Sequence, residues 1–191
     1  MTLAPKLGAP PSGGRLIAVV GPSGVGKDSV MAGLAKTAPH MHLVRRVVTR
    51  APGLGGEDYD AATPEQFATL VGEGAFAVHW QAHGLRYGIP VSVNGHLDKG
   101  TDCLVNFSRS ALAEAAEIFA RFTVLNVTAR PETLASRLAA RARETEEEIR
   151  KRLAQADKPL PAGLDVLDLS NDGPLAETVA RGADLLQPAG V

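Results

Sequence analysis

Residues 16–20, Leu-Ile-Ala-Val-Val, form an unbroken apolar run that stops at Gly21. A run apolar on both faces suits a strand of a parallel sheet covered by helices on either side. From Lys27 the period changes. Val30, Met31 and Leu34 recur at three- and four-residue spacing, which predicts a helix over 27–36. Leu43, Val44, Val47 and Val48 flank Arg45 and Arg46 and predict one second strand that stops near Pro52. Residues 52–60 read as a polar loop. Pro64 at a first helical position, with Thr63 before it as cap, predicts a helix over 64–71. Residues 75–83 and 85–88 predict two short strands bent at Gly84, and 90–97 fit no single period. Strand patterns return at 102–107, 122–127 and 166–169. Helical patterns stand at 110–120, 131–143, from about 145 to 156, and 175–186.

Strands alternating with helices of this length imply right-handed crossovers and an α/β fold, a parallel sheet flanked by helices in three layers. Residues 51–89 break the alternation and read as an inserted lobe. The expected organisation is a flexible leader over 1–14, rich in Pro and Gly, and one domain over 15–187. Its core comprises 15–50 and 90–187.

Composition narrows the function classes. Lys and Arg total 20 against 21 Asp and Glu, a net charge of -1, which argues against a general nucleic-acid binder. No apolar run approaches the roughly 18 residues of a membrane span, and residues 1–14 contain no apolar secretory core. A cytoplasmic protein with neither nucleic acid nor membrane as partner is the expectation. The single cysteine, Cys103, cannot form an internal disulfide and reads as inert core. Arginine outnumbers lysine 14 to 6. High-GC codon usage accounts for such a ratio, and so does a site that grips planar oxyanions.

The most informative segment is Gly21-Pro22-Ser23-Gly24-Val25-Gly26-Lys27-Asp28-Ser29, between a buried strand and a helix. In that context the glycines let successive backbone N–H groups wrap one anion, the helix start adds a positive dipole end, and Lys27 neutralises the β and γ phosphates of ATP. Asp28 stands where the usual pattern has a Ser or Thr hydroxyl for Mg²⁺. A carboxylate is a good Mg²⁺ ligand, so Asp28 is the metal candidate, against a purely electrostatic role at the helix start. No Asp follows Leu104-Val105, where many triphosphatases carry a second metal carboxylate, and Asn106 and Ser108 stand there instead. Motor and GTPase readings lose ground and small-molecule kinases gain it. Arg137 and Arg141 lie at i, i+4 on one helix face, and Arg152 follows across the acidic run 144–148. Beside a phosphate loop, such arginines read as a lid over 137–152 that closes on the transferring phosphate, rather than as surface pairs with Glu.

Taken together, these segments resemble the guanylate kinase family over nearly the whole chain. The phosphate loop is similar to that family's. Thr49-Arg50-x-Pro52 with Asp58-Tyr59 resembles its acceptor-phosphate segment, and Gly84-x-x-Tyr87-Gly88 its next piece. The resemblance implies a nucleoside-monophosphate-kinase-like fold with acceptor lobe and arginine lid. It carries Arg50, Tyr59 and Tyr87 over as phosphate contacts, Arg137, Arg141 and Arg152 as lid arginines, and Asn171 as an adenine-side residue. The positions that read guanine in the family hold Arg46, Val78 or His79, and Val105 or Asn106, and Gly53 stands near a missing arginine. A second arginine in the acceptor pocket suggests a second phosphate. Gly26-Lys27-Asp28-Ser29, 55–58 and 80–88 resemble the ribose 1,5-bisphosphate phosphokinase branch, which implies ATP-dependent formation of 5-phosphoribosyl diphosphate in bacterial phosphonate catabolism. Arg46, Arg86 and His79 or His83 are then available for the other phosphate or the ribose hydroxyls. Arg45 and Arg46 point to opposite strand faces, and Arg46 shares parity with Arg50. Trp80 reads as lobe core. The competing readings are an ordinary guanylate kinase and a non-catalytic binding module. The retained Lys27 and arginines argue against the module.

Overall fold

The computed structural model describes residues 13–38, 40–52, 58–140 and 159–187. Its centre is a five-stranded, all-parallel sheet of β1 (Leu16–Val20), β2 (Met41–Leu43), β7 (Asp102–Asn106), β8 (Phe122–Thr128) and β9 (Val166–Ser170), in the order β2-β7-β1-β8-β9. All five residues of β1 are fully buried. Leu16, Ala18 and Val20 face one apolar cluster, and Ile17 and Val19 the other, which is what an alternating strand between two helical layers requires.

One layer holds α1 (Lys27–Thr37) and α6 (Leu175–Leu185), which cover the sheet with Val30, Met31, Leu34 and Val179. Leu134 of α5 (Pro131–Ala140) joins them. The opposite layer holds α3 (Val93–Leu97) and α4 (Leu112–Ile118) through Val93, Leu112 and Ala115.

A second, mixed sheet forms the inserted lobe, in the order β4-β3-β6-β5, from β3 (Val47–Val48), β4 (Asp60–Ala61), β5 (Phe76–Ala82) and β6 (Leu85–Pro90). β5 and β6 are an antiparallel hairpin whose two turn residues, His83 and Gly84, both have positive φ (51° and 74°), the turn geometry that matches strand twist. Helix α2 (Pro64–Gly72) packs on the lobe. The expected cap is present: Thr63 accepts from the Gln66 N–H at 3.2 Å, and the Gln66 side chain accepts from the Thr63 N–H at 2.8 Å.

Two expectations are corrected. The single strand over 43–48 is two strands in different sheets. β2 ends at Leu43 and pairs with β7, while β3 begins at Val47 and pairs with β6, so the lobe begins before residue 51. The hydrophobic pattern is the same on both sides of the break, and only the choice of partner strand divides it. Gly13 and Gly14, expected in a flexible leader, are built into the fold. The Gly14 N–H donates to Leu97 O at 2.7 Å, and Arg121 donates to Gly13 O. No helix among the described residues is long and apolar enough to cross a membrane.

Candidate active site

The phosphate loop leaves β1 at its C-terminal end, beside the crevice where strand order reverses. Gly21, Gly24 and Gly26 have φ of 152°, 85° and 93°. The last two lie in the region closed to most side chains. A Cβ on Gly26 would also stand 2.7 Å from the Asn171 amide nitrogen. Pro22 and Ser23 are half-buried on the loop, Val25 is buried beneath it, and Ser29 is exposed on the first turn of α1. Lys27 Nζ reaches back to the carbonyls of Gly21 (2.9 Å) and Pro22 (3.3 Å), which stations its charge over the loop.

Asp28 is held by Asn106, whose side-chain nitrogen donates to Asp28 Oδ1 at 3.1 Å. The strand end that carries a carboxylate in many triphosphatases thus supplies an amide to a carboxylate placed on α1. This pair joins positions 78 residues apart and was not legible in the sequence. Among the described residues no cluster of three His, Cys, Asp or Glu could hold a metal. One carboxylate donor beside a phosphate cradle fits a divalent ion completed by phosphate and water oxygens, as Mg²⁺ prefers.

Asn171, expected on the adenine side, lies under the phosphate loop. Its side chain is 4% exposed and donates to the Val25 carbonyl at 2.8 Å, and Arg137 donates to that same carbonyl at 3.2 Å. Arg137 therefore sits against the phosphate loop. Arg141 and Arg152 lie outside the described residues.

Opposite the loop, the lobe presents an aromatic stack. Trp80 lies on Tyr87 (5.5 Å, 11° between planes) and on Phe107 (5.0 Å, 11°), and its indole N–H donates to Ser108 Oγ at 2.9 Å. Trp80 is lobe core, as expected, and its hydrogen bond ties the lobe to the end of β7. Arg46 is only 5% exposed and lies over both rings, 4.9 Å from the Tyr87 centroid and 5.8 Å from that of Trp80. Arg45 turns outward to Asp60 (2.8 Å) and Asp58 (3.3 Å). The two arginines take opposite sides, but in the break between β2 and β3 rather than by alternation along one strand. Arg50 stands 5.6 Å from the Tyr59 ring, and the Tyr59 hydroxyl donates to Ala51 O at 2.6 Å.

Two expected substrate residues are not brought to this face. Trp80 pairs with Tyr87, so the alternate positions His79, Gln81 and Arg86 project from the other side of the hairpin, toward α2. There they line a cavity of about 450 Å³ with Phe67, Ala68, Val71 and part of Trp80. The signal was available in the sequence: a two-residue turn at 83–84 sets the pairing, and the pairing sets the parity.

A phosphate loop on a five-stranded parallel sheet, an arginine against it and an inserted mixed-sheet lobe define a phosphotransferase of the P-loop class. The chain belongs to the guanylate kinase family, whose model matches residues 13–174. A solved guanylate kinase from Anaplasma phagocytophilum shares the fold, with a TM-score of 0.68 at 21% identity over 93% of this chain and 86% of that one. More specific likeness comes from two curated relatives. The ribose 1,5-bisphosphate phosphokinase PhnN of Ruegeria sp. (strain TM1040) is 49% identical over 93% of this chain and 94% of its own. The ribose 1,5-bisphosphate phosphokinase PhnN of Rhizobium etli (strain CIAT 652) is 45% identical over 93% and 91%.

Proposed function

We propose that this protein is a ribose 1,5-bisphosphate phosphokinase, using ATP to convert ribose 1,5-bisphosphate to 5-phosphoribosyl 1-diphosphate. The observation that carries the acceptor is Arg46. It is buried over Trp80 and Tyr87 at a position that in guanylate kinases reads guanine. A guanidinium there suits a phosphate, and it offers no acceptor for a purine N–H. The high identity to the two curated phosphokinases over almost their full lengths supports the same substrate. Phosphonate catabolism in the cytoplasm is the setting this activity suits.

In the proposed reaction, an oxygen of the C1 phosphate attacks the γ phosphorus of ATP. A new P–O bond forms, the bond to the β-phosphate oxygen breaks, and ADP leaves with that electron pair. The attacking group is already an anion, so catalysis rests on position and charge rather than on a base. Gly21–Lys27 backbone N–H groups and the Lys27 ammonium hold the donor phosphates, and Arg137 approaches the transferring group. Arg141 and Arg152 complete the lid in this reading. Arg50, Tyr59 and Tyr87 hold one acceptor phosphate, and Arg46 the other. Asp28 would hold Mg²⁺ beside the phosphates, where the ion would supply charge neutralisation. Arg86 and His79, across the hairpin, have no part in it.

Coupled ADP release with ribose 1,5-bisphosphate and with GMP, and phosphorus NMR of the product, tests the assignment. A diphosphate signal on the ribose product is expected, with GMP the poorer acceptor. GMP as the clearly better acceptor overturns the reading in favour of a guanylate kinase.

A further inference from the structure

We propose that Asn171 is a positioning residue that holds the phosphate loop in its anion-binding shape and, with Asp172, ties that loop to the helix carrying Arg137. The proposal rests on the triphosphate-binding half of the kinase reading and is independent of the acceptor. Asn171 follows the last residue of β9, and its own N–H donates to Thr128 O at 2.8 Å. That bond extends the β8–β9 ladder and fixes where the side chain leaves the backbone. The side-chain nitrogen then meets the Val25 carbonyl at 2.8 Å, deep under the loop. In a trans peptide the C=O and the following N–H point in opposite directions. With the Val25 carbonyl drawn toward Asn171, the Gly26 N–H is turned away from it, toward the concave side of the loop. Gly26 has to be glycine for the same reason, since a Cβ there would strike the Asn171 amide.

Two further observations point the same way. The other amide atom, Asn171 Oδ1, is buried with no partner among the described residues. An orphaned buried acceptor is a cost that an apolar residue of similar shape would avoid. The side chain is useful here for its N–H. Arg137 donates to the same Val25 carbonyl at 3.2 Å. The next residue, Asp172, accepts from the Arg130 N–H at 2.8 Å and from the Ser170 hydroxyl at 2.9 Å, which sets the start of α5. Consecutive side chains at the end of one strand thus hold the loop before α1 and the helix that brings Arg137 to it.

Asn171→Leu keeps the buried volume and removes the donor. Asn171→Asp keeps the shape and sets an acceptor against the carbonyl. Calorimetric binding of ATP, GTP and inorganic tripolyphosphate to the full-length protein, beside KM and kcat, separates positioning from adenine contact. Both variants are expected to weaken all three ligands by the same factor, about tenfold for one lost hydrogen bond, with KM for ATP rising more than kcat falls. Combining Asn171→Leu with Arg137→Met is expected to be non-additive, because the two side chains share one carbonyl. A loss confined to ATP, with GTP and tripolyphosphate unchanged, overturns the proposal in favour of an adenine contact. Unchanged binding of all three in a folded variant also overturns it. A wild-type protein that binds none of the three overturns the kinase reading itself, and the positioning role with it.

Discussion

Lys27 and Arg46 are two cations in unlike surroundings, and the contrast decides what each can do. Lys27 is half-buried and anchored on Gly21 and Pro22 carbonyls. Those carbonyls are dipoles that incoming phosphate oxygens readily outcompete. Arg46 is nearly inaccessible and lies on the faces of Trp80 and Tyr87, where stacking holds the planar guanidinium in one orientation. Lys27→Ala is expected to lower kcat by about a hundred- to a thousandfold, the usual effect of deleting one donor to developing transition-state charge. The melting temperature should stay close to wild type, because the Lys27 bonds to the Gly21 and Pro22 carbonyls stay within its own loop. Steady-state kinetics beside thermal melting checks both halves of the statement.

Helix α5 shows how an element is held by a residue that belongs to another. Its start is capped from Asp172, whose carboxyl is lowered from its ordinary 3.8 to about 2. The Arg130 backbone N–H is the main cause, followed by the Thr133 and Ser170 hydroxyls and the Arg130 charge. The unfolded chain binds the proton more readily than the folded one. The stabilisation is therefore present above pH 3.8 and is lost as pH falls toward 2. Asp172→Asn is expected to melt earlier than wild type at neutral pH, and the gap should close between about pH 4 and pH 2. Thermal melting across that range measures it.

The opposite edge of the sheet behaves similarly at higher pH. His42 on β2 stacks on His96 of α3, with ring centres 3.9 Å apart. Burial, and then the charge of His96, lowers the His42 pKa from 6.5. Neutral His42 is the form the fold favours, so stability is present above pH 6.5 and declines as pH falls through the lowered value. His42→Gln is expected to flatten the pH dependence of the melting temperature below 6.5. An unchanged slope would show that the stacked pair plays no part in it.

At the scale of the molecule, one apolar cluster runs from the central sheet into the lobe, through Val105 and Phe107 to Trp80, Tyr87 and Ile89. Core and lobe therefore share packing as well as two chain connections. Cys103 lies in that cluster, fully buried, and burial and then the neighbouring Asp102 charge push its thiol up to about 12. A thiol needs both exposure and its thiolate form to react. The native protein is expected to resist maleimide labelling at pH 7 and to label fully in denaturant, which makes Cys103 a probe of global opening. Rapid labelling under native conditions would contradict the burial.

Sequence alone determined what depends on local period and local chemistry. The apolar run of β1 and the periodicity of α1 and α6 identify their elements, because burial on two faces, or on one helical stripe, leaves its mark within a few residues. The glycines and Lys27 identify the phosphate loop because an anion cradle is made of consecutive backbone. Tertiary structure decided what depends on partners distant in the chain. It divided 43–48 between two sheets, since a strand's pattern does not name the strand it pairs with. It joined Asp28 to Asn106 and Val25 to Asn171 and Arg137, contacts across 78, 146 and 112 residues. It also set Arg46 on the stack of Trp80 and Tyr87, contacts across 34 and 41 residues. A two-residue turn fixes which side of the hairpin Arg86 takes, but not what packs on the other side.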